Sequence, residues 1–142
     1  MVKNVHIYSI YDYQINKILI HKLIYFLKNR LNFSINLLEI NFINEKEIHK
    51  LNNEHLGHNY STDILTFNYT GDNKKLEGEI FISFKDAFEN AKKFKVSLKN
   101  ELCRLVIHGI LHLVGFDDKI GKDNLIMKEQ ENLLLNNFCK LF

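Results

Sequence analysis

HGILHLVGFDDK, residues 108–119, is the stretch on which the reading of this chain turns. At 3.6 residues per turn, side chains four apart project from one helix face, one turn above the other. His108 and His112 therefore come close enough to share one metal ion. Gly115 stands where a helix ends most easily, because glycine takes a left-handed conformation without steric penalty. A chain reversed there brings Asp118 back beside the two imidazoles. Three protein ligands leave a fourth position for water, as a catalytic metal site requires. The residue after His108 is Gly109, where a zinc peptidase carries its glutamate base, so peptidase chemistry lacks a local base. Phosphodiester chemistry tolerates that lack better: a metal acidifies water and polarises a phosphoryl oxygen, and RNA brings its own 2′-hydroxyl. Asp117 suits hydrogen bonding to the backbone of the turn.

The histidines ride on a helix over residues 98–114, opened by Ser97. Glu101 and Arg104 fall on the histidine stripe, while Leu102, Val106 and Leu113 point into a core. By helical phase Arg104 faces the metal and is the candidate to bind a substrate phosphate. Upstream, residues 2–10 read as an opening strand, 16–31 as an amphipathic helix and 35–43 as a second strand. Asn44 with Glu47 is a capping-box signal for a helix to about Asn53. Residues 63–69 and 78–83 form a hairpin across the polar turn 71–75, and Ser83 with Asp86 starts a short helix toward Lys93. Gly121 precedes a last helix to about Phe138. The sum predicts an α+β fold: a mixed sheet of about four strands, with one early crossover, covered mainly on one side by helices.

Length and composition set the frame. A chain of 142 residues makes a single domain, 1–142, with 46% hydrophobic and 25% charged residues, as in globular proteins. A net charge of +2 gives no global pull toward nucleic acid, so any basic patch is local. Cys103 and Cys139 form no disulfide framework and suit a reducing compartment. No secretory signal or long apolar run is present, so the expectation is a cytoplasmic protein with no membrane partner. Proline is absent and Asn, Lys, Ile, Leu and Phe are abundant, which fits A/T-rich codons and lowers the weight of single Asn or Lys residues.

Weaker constellations deserve placing. His55 and His58, with His49 nearby, raise a second metal or an RNA contact against ordinary surface roles. Lys92, Lys93, Lys95 and Lys99 around Phe94 form the clearest basic cluster, able to follow a phosphate backbone or simply to be a solvated face. Thr62 and Asp63 fit the metal cleft or a turn and cap.

HGILHLVGFDD resembles the signature of the YbeY family of bacterial endoribonucleases, H-G-x-L-H-L-x-G-[YF]-D-H. LNNEHLGHNYSTDILTF resembles the segment leading into the family's T-D/N-V-L-S-F strand, and GEIFIS its G-D-I-x-I strand. The closing helix with Met127, Glu129 and Glu131 falls in order, so the likeness runs from about residue 40 to the end. It implies a zincin-like, metal-dependent hydrolase fold, a single divalent ion (taken as Zn2+) and cleavage of single-stranded RNA. The implied setting is maturation of the 3′ end of small-subunit rRNA and ribosome quality control, with rRNA and the small subunit as partners and no DNA. Carried over, the ligands are His108, His112 and Asp118, the last standing where histidine is commoner. Leu56 stands where the family usually has an arginine thought to matter for RNA cleavage. A ribosome assembly factor with a structural metal and little nuclease activity is the alternative. An anionic Asp118 makes a bound metal a weaker Lewis acid than a third histidine would.

Overall fold

Strands β1 (Val5–Ser9), β2 (Ser34–Ile43), β3 (Ile64–Asn68) and β4 (Lys75–Ser83) form one sheet in the order β1-β2-β4-β3. The computed structural model describes residues 1–10, 15–57, 62–118 and 120–142, with the backbone alone at Leu56. β1 and β4 both run parallel to the central β2, whereas β3 pairs antiparallel with β4. A parallel pair needs a crossover, and helix α1 (Lys17–Leu31) supplies it between β1 and β2. The antiparallel pair is the expected hairpin. Its turn is fixed by Asp72, whose Oδ1 accepts from the backbone N–H groups of Lys74 and Lys75 at 2.8 and 3.1 Å. The fold is the α+β domain with a four-stranded mixed sheet that the sequence led one to expect.

Four helices complete the described chain: α2 (Glu45–Leu56), α3 (Phe84–Phe94), α4 (Leu98–Leu113) and α5 (Gly121–Leu141). Short polar residues start most of them. Asn44 accepts from Glu47 N–H at 2.8 Å, Ser83 from Asp86 at 3.3 Å and Ser97 from Asn100 at 3.0 Å. Several boundaries differ from expectation, among them the end of α2 at Leu56. β1 begins at Val5, because Val2 N–H donates to His21 Nδ1 on α1 and Asn4 takes a positive φ of 67°. β4 begins at Lys75, since pairing with β2 extends through Ser34. α5 runs on to Leu141, with Phe138 buried beneath it.

β4 alternates buried Ile80 and Ile82 with Phe81, so its two faces meet different layers. The Ile80 face carries the main core, where Leu38, Ile40 and Phe42 meet Leu23, Ile24 and Leu27 of α1, Leu105, Val106 and Ile110 of α4, and Phe138 of α5. The Phe81 face holds a smaller cluster of Ile43, Ile48 and Leu65 under α2. Helix α4 lies against β4 at Gly109, where an added Cβ would fall 2.8 Å from Ile80 Cδ1. That close approach fixes which stripe of α4 is left for the site.

Candidate metal centre

The end of α4 is built to return the chain. Gly115 N–H donates to His112 O at 3.1 Å and Phe116 N–H to Leu111 O at 2.9 Å, the two bonds of a Schellman cap. Gly115 has φ of 107°, which a side chain would strain, and an added Cβ would press within 2.8 Å of Asn73. Asn124 at the start of α5 then holds the loop, its Nδ2 donating to Asp118 O at 3.2 Å.

These anchors bring three donor atoms together. His108 Nε2 and His112 Nε2 lie 3.2 Å apart, and each is 3.5 Å from Asp118 Oδ2. A tetrahedral ion bound at about 2.0–2.1 Å by each donor needs ligand atoms about 3.3 Å apart, so this set fits a zinc-sized ion. Among the described residues, it is also the one group of three His, Cys, Asp or Glu side chains that converges in this way. The side chains of His108, His112 and Asp118 remain 20%, 28% and 38% exposed, leaving the group open to solvent.

The imidazoles are held in the form a metal needs. A carboxylate can only accept, so the 2.8 Å contact between His108 Nδ1 and Glu131 Oε2 puts a proton on Nδ1 and makes Nε2 the lone-pair nitrogen of the neutral ring. Burial holds the pKa of His112 below the ordinary value, helped by His108 beside it, and its ring also hydrogen-bonds the Phe116 backbone. Neutral imidazole is the ligand form.

Behind the histidines lies a buried ionic network. Arg104 Nε and Nη2 donate to the two oxygens of Glu101 at 2.8 and 2.6 Å, and Nη1 donates to Glu131 Oε1 at 2.8 Å. Glu101 and Glu131 are 1% and 4% exposed. Burial pushes the Glu131 carboxyl up, but hydrogen bonds from His108 and Arg104 outweigh it and hold the pKa below the usual range. The Arg104 pKa is raised, chiefly by its hydrogen bonds to Glu101. Arg104 does share the cleft with His108 and Asp118, but its guanidinium is turned to these two carboxylates, where helical phase had suggested a phosphate.

The cleft, about 170 Å3, is lined on the α5 side by Asn124, Met127, Lys128 and Glu131. Sequence reasoning assigned neither Glu131 nor Lys128 to the site. The spacing of 124, 127, 128 and 131 was the available signal, since such positions share one helix face. Gly109 is turned toward Ile80, so the position of a peptidase glutamate is here a contact with the sheet.

The other candidates lie elsewhere. His55 sets its ring edge-on to Phe67, with 5.7 Å between centroids, and joins no three-donor group among the described residues. His58 and the Leu56 side chain lie outside the described residues. Asp63 accepts from Asn90 Nδ2 at 3.1 Å, and the Thr62 hydroxyl donates to Ile64 O at 3.1 Å. Lys92 sits over the Phe88 ring and Lys93 over Phe94, in the C-terminal half of α3. Cys103 is buried, and its thiol pKa is pushed up to about 11 by burial, so it makes a poor nucleophile. No helix among the described residues is long and apolar enough to cross a membrane.

The family model described as endoribonuclease YbeY matches residues 4–139. A protein of Chlorobium limicola named endoribonuclease YbeY is 39% identical over 108 residues, covering 76% of this chain and 74% of its own. One of the same name from Karelsulcia muelleri is 38% identical over 120 residues, covering 84% of both. Among solved structures, the solution structure of a Thermotoga maritima protein superposes with a TM-score of 0.64 at 28% identity, over 94% of this chain and 88% of that one.

Proposed function

Since this chain belongs to the YbeY family of endoribonucleases, we propose that it is a metal-dependent nuclease that cuts single-stranded RNA. In this reading residues 1–142 form one catalytic domain, with His108, His112 and Asp118 holding a divalent ion, zinc by the fit of the donor set. The supporting observation is the convergence of two Nε2 atoms and one carboxylate oxygen at 3.2–3.5 Å in an open cleft. The setting is maturation of the small-subunit rRNA 3′ end and ribosome quality control in the cytoplasm, with no membrane or DNA partner.

When bound, the ion would polarise a phosphoryl oxygen and make a water more acidic. The chain's own residues do the positioning. Asp118 offers a charged oxygen on a loop tied down by Asn124, and His112 presents Nε2 from a partly buried ring. Met127 shields one wall from water. Lys128 is exposed on the cleft wall and, among the described residues, has no carboxylate partner. We therefore assign the phosphate contact to Lys128, and to Arg104 the holding of Glu101 and Glu131.

The test uses a single-stranded RNA matching the small-subunit rRNA 3′ end. Wild type should cut it, whereas His112→Ala and a metal-stripped sample should lose cleavage by orders of magnitude, with zinc restoring only the stripped wild type. Equal cleavage by all three would overturn the reading.

A further inference from the structure

The metal ligands are not the end of the polar structure in this region. A continuous chain of buried or half-buried groups runs from β3 to His108. Asp63, before β3, accepts from Asn90 of α3, and Asn90 reaches Glu101 Oε2 at 3.4 Å. Glu101 takes both Nε and Nη2 of Arg104. Arg104 Nη1 passes to one oxygen of Glu131, and the other oxygen of Glu131 takes the Nδ1 proton of His108. Every link from Glu101 onward is 2.6–2.8 Å, the range of charge-assisted hydrogen bonds.

Such an arrangement is difficult to explain as a stability device. Burying two carboxylates and a guanidinium costs free energy that well-packed apolar residues would not. From Glu101 onward its members lie on the stripe of α4 and the face of α5 that meet near the cleft. With its fork set on Glu101, the guanidinium orients the Glu131 carboxylate, because Nη1 engages one oxygen and leaves the second aimed at the imidazole. A fixed acceptor on Nδ1 fixes both the ring plane and the tautomer of His108.

We propose that Glu131 is the positioning residue for His108, and that Arg104, itself anchored by Glu101, is what holds Glu131 in place. The relay gives the site its preorganised first donor. Without it the His108 ring is free to rotate and to carry its proton on Nε2, where it blocks the metal. The inference rests on the metal reading above, and its test separates the two.

Purified full-length protein is stripped of metal and titrated with zinc against a chromophoric chelator. The His108 tautomer is read in the stripped protein by nitrogen-15 NMR, and thermal melts of the same samples report the fold. Wild type should bind zinc and show His108 protonated on Nδ1. Glu131→Gln should weaken zinc binding roughly 10- to 100-fold, the usual effect of removing a ligand's hydrogen-bond partner, and shift His108 toward the Nε2 proton. The double variant Glu101→Met/Arg104→Met replaces one buried ion pair with apolar side chains of similar reach but leaves Glu131 without its Arg104 partner, so it should melt below wild type and is titrated well under its own melting temperature. The relay predicts weaker zinc binding in this variant as well, by a smaller factor than in Glu131→Gln. Unchanged zinc affinity and tautomer in the folded double variant would overturn the proposal, as would the same result for Glu131→Gln. If wild type itself binds no zinc, the metal reading fails and takes the relay with it. If wild type binds and the variants match it, the relay alone fails.

Discussion

Two faces of α4 divide the work of the molecule. The face turned to the sheet carries Leu102, Leu105, Val106, Gly109, Ile110 and Leu113, and nearly every atom of it is out of water. The opposite stripe carries Glu101, Arg104, His108 and His112, all of them charged or titratable; Arg104, His108 and His112 are answered by groups from α5 or the 116–118 loop, and Glu101 by Arg104 and by Asn90 of α3. The first face is held by non-directional apolar burial, which tolerates small shifts. The second is held by hydrogen bonds that weaken steeply with angle and distance. One helix thus carries both a stabilising surface and an orienting one, and changes on the two faces should have separable consequences.

The largest effect should come from Leu105→Ala, which opens a cavity beneath a side chain only 1% exposed. A loss of about 2–5 kcal/mol in urea unfolding is expected, with zinc affinity of the folded protein near wild type. A loss of zinc affinity as large as the loss of stability would break the separation of faces.

Gly109→Ala comes next. Its new Cβ meets Ile80 Cδ1 at 2.8 Å, so α4 must lift from β4 or Ile80 must leave its rotamer. A destabilisation of about 1–3 kcal/mol is expected. This position neighbours His108, so zinc affinity should fall only if α4 itself lifts. An Ile80→Val change made together with Gly109→Ala relieves the clash and should recover part of the stability. No recovery would mean that glycine is needed there for another reason.

The apolar face was largely legible from sequence, and the polar stripe only in part. Periodicity at residues 98–114 placed the helix, and the Ser97 and Gly115 signals placed its ends, because those signals are local. His108, His112 and Asp118 were likewise readable, being ten residues apart and joined by one cap. Glu131, the distant partner of Arg104, was not. The helical phase of Arg104 correctly turned it to the cleft, but the Glu131 that engages it is 27 residues downstream on another helix. Spacing within one element says where a side chain points, not what it meets. Glu131 falls in order in the closing helix, and nothing local to it marks a role.

His21 offers a pH test on a region remote from the site. Burial lowers its pKa, and in the folded chain its Nδ1 accepts from Val2 N–H, which requires that nitrogen to be unprotonated. The unfolded chain therefore takes up more protons below the ordinary histidine value of about 6.5, and folded stability falls as pH drops through that range. The fall should approach, and not exceed, about 1.4 kcal/mol per pH unit for this one group, levelling off below the folded value. In stripped protein, His21→Gln keeps an acceptor and removes the titration, so its stability should fall less steeply between pH 7 and 5. Parallel curves for the two proteins would show that the N-terminal contact does not control protonation of His21.

Lys128 should give the smallest effect, and it bears directly on the orienting face. It sits on the cleft wall one helical turn from Glu131, with its charge in solvent and, among the described residues, no carboxylate partner. A contact between an exposed ammonium and a phosphate stabilises by about 0.5–1 kcal/mol at low ionic strength, which is roughly a two- to fivefold change in binding. Lys128→Ala should therefore raise the KM for RNA by that factor and leave kcat unchanged, because the contact forms with bound substrate and transition state alike. The difference should shrink as salt screens the exposed charge, and Lys128→Arg should restore most of it. A drop in kcat with KM unchanged would place Lys128 at the reacting phosphate instead. An effect of Arg104→Lys on KM alone, with zinc affinity intact, would return the phosphate contact to Arg104. In that event the polar stripe of α4 meets the substrate itself, and the work of orientation falls to α5.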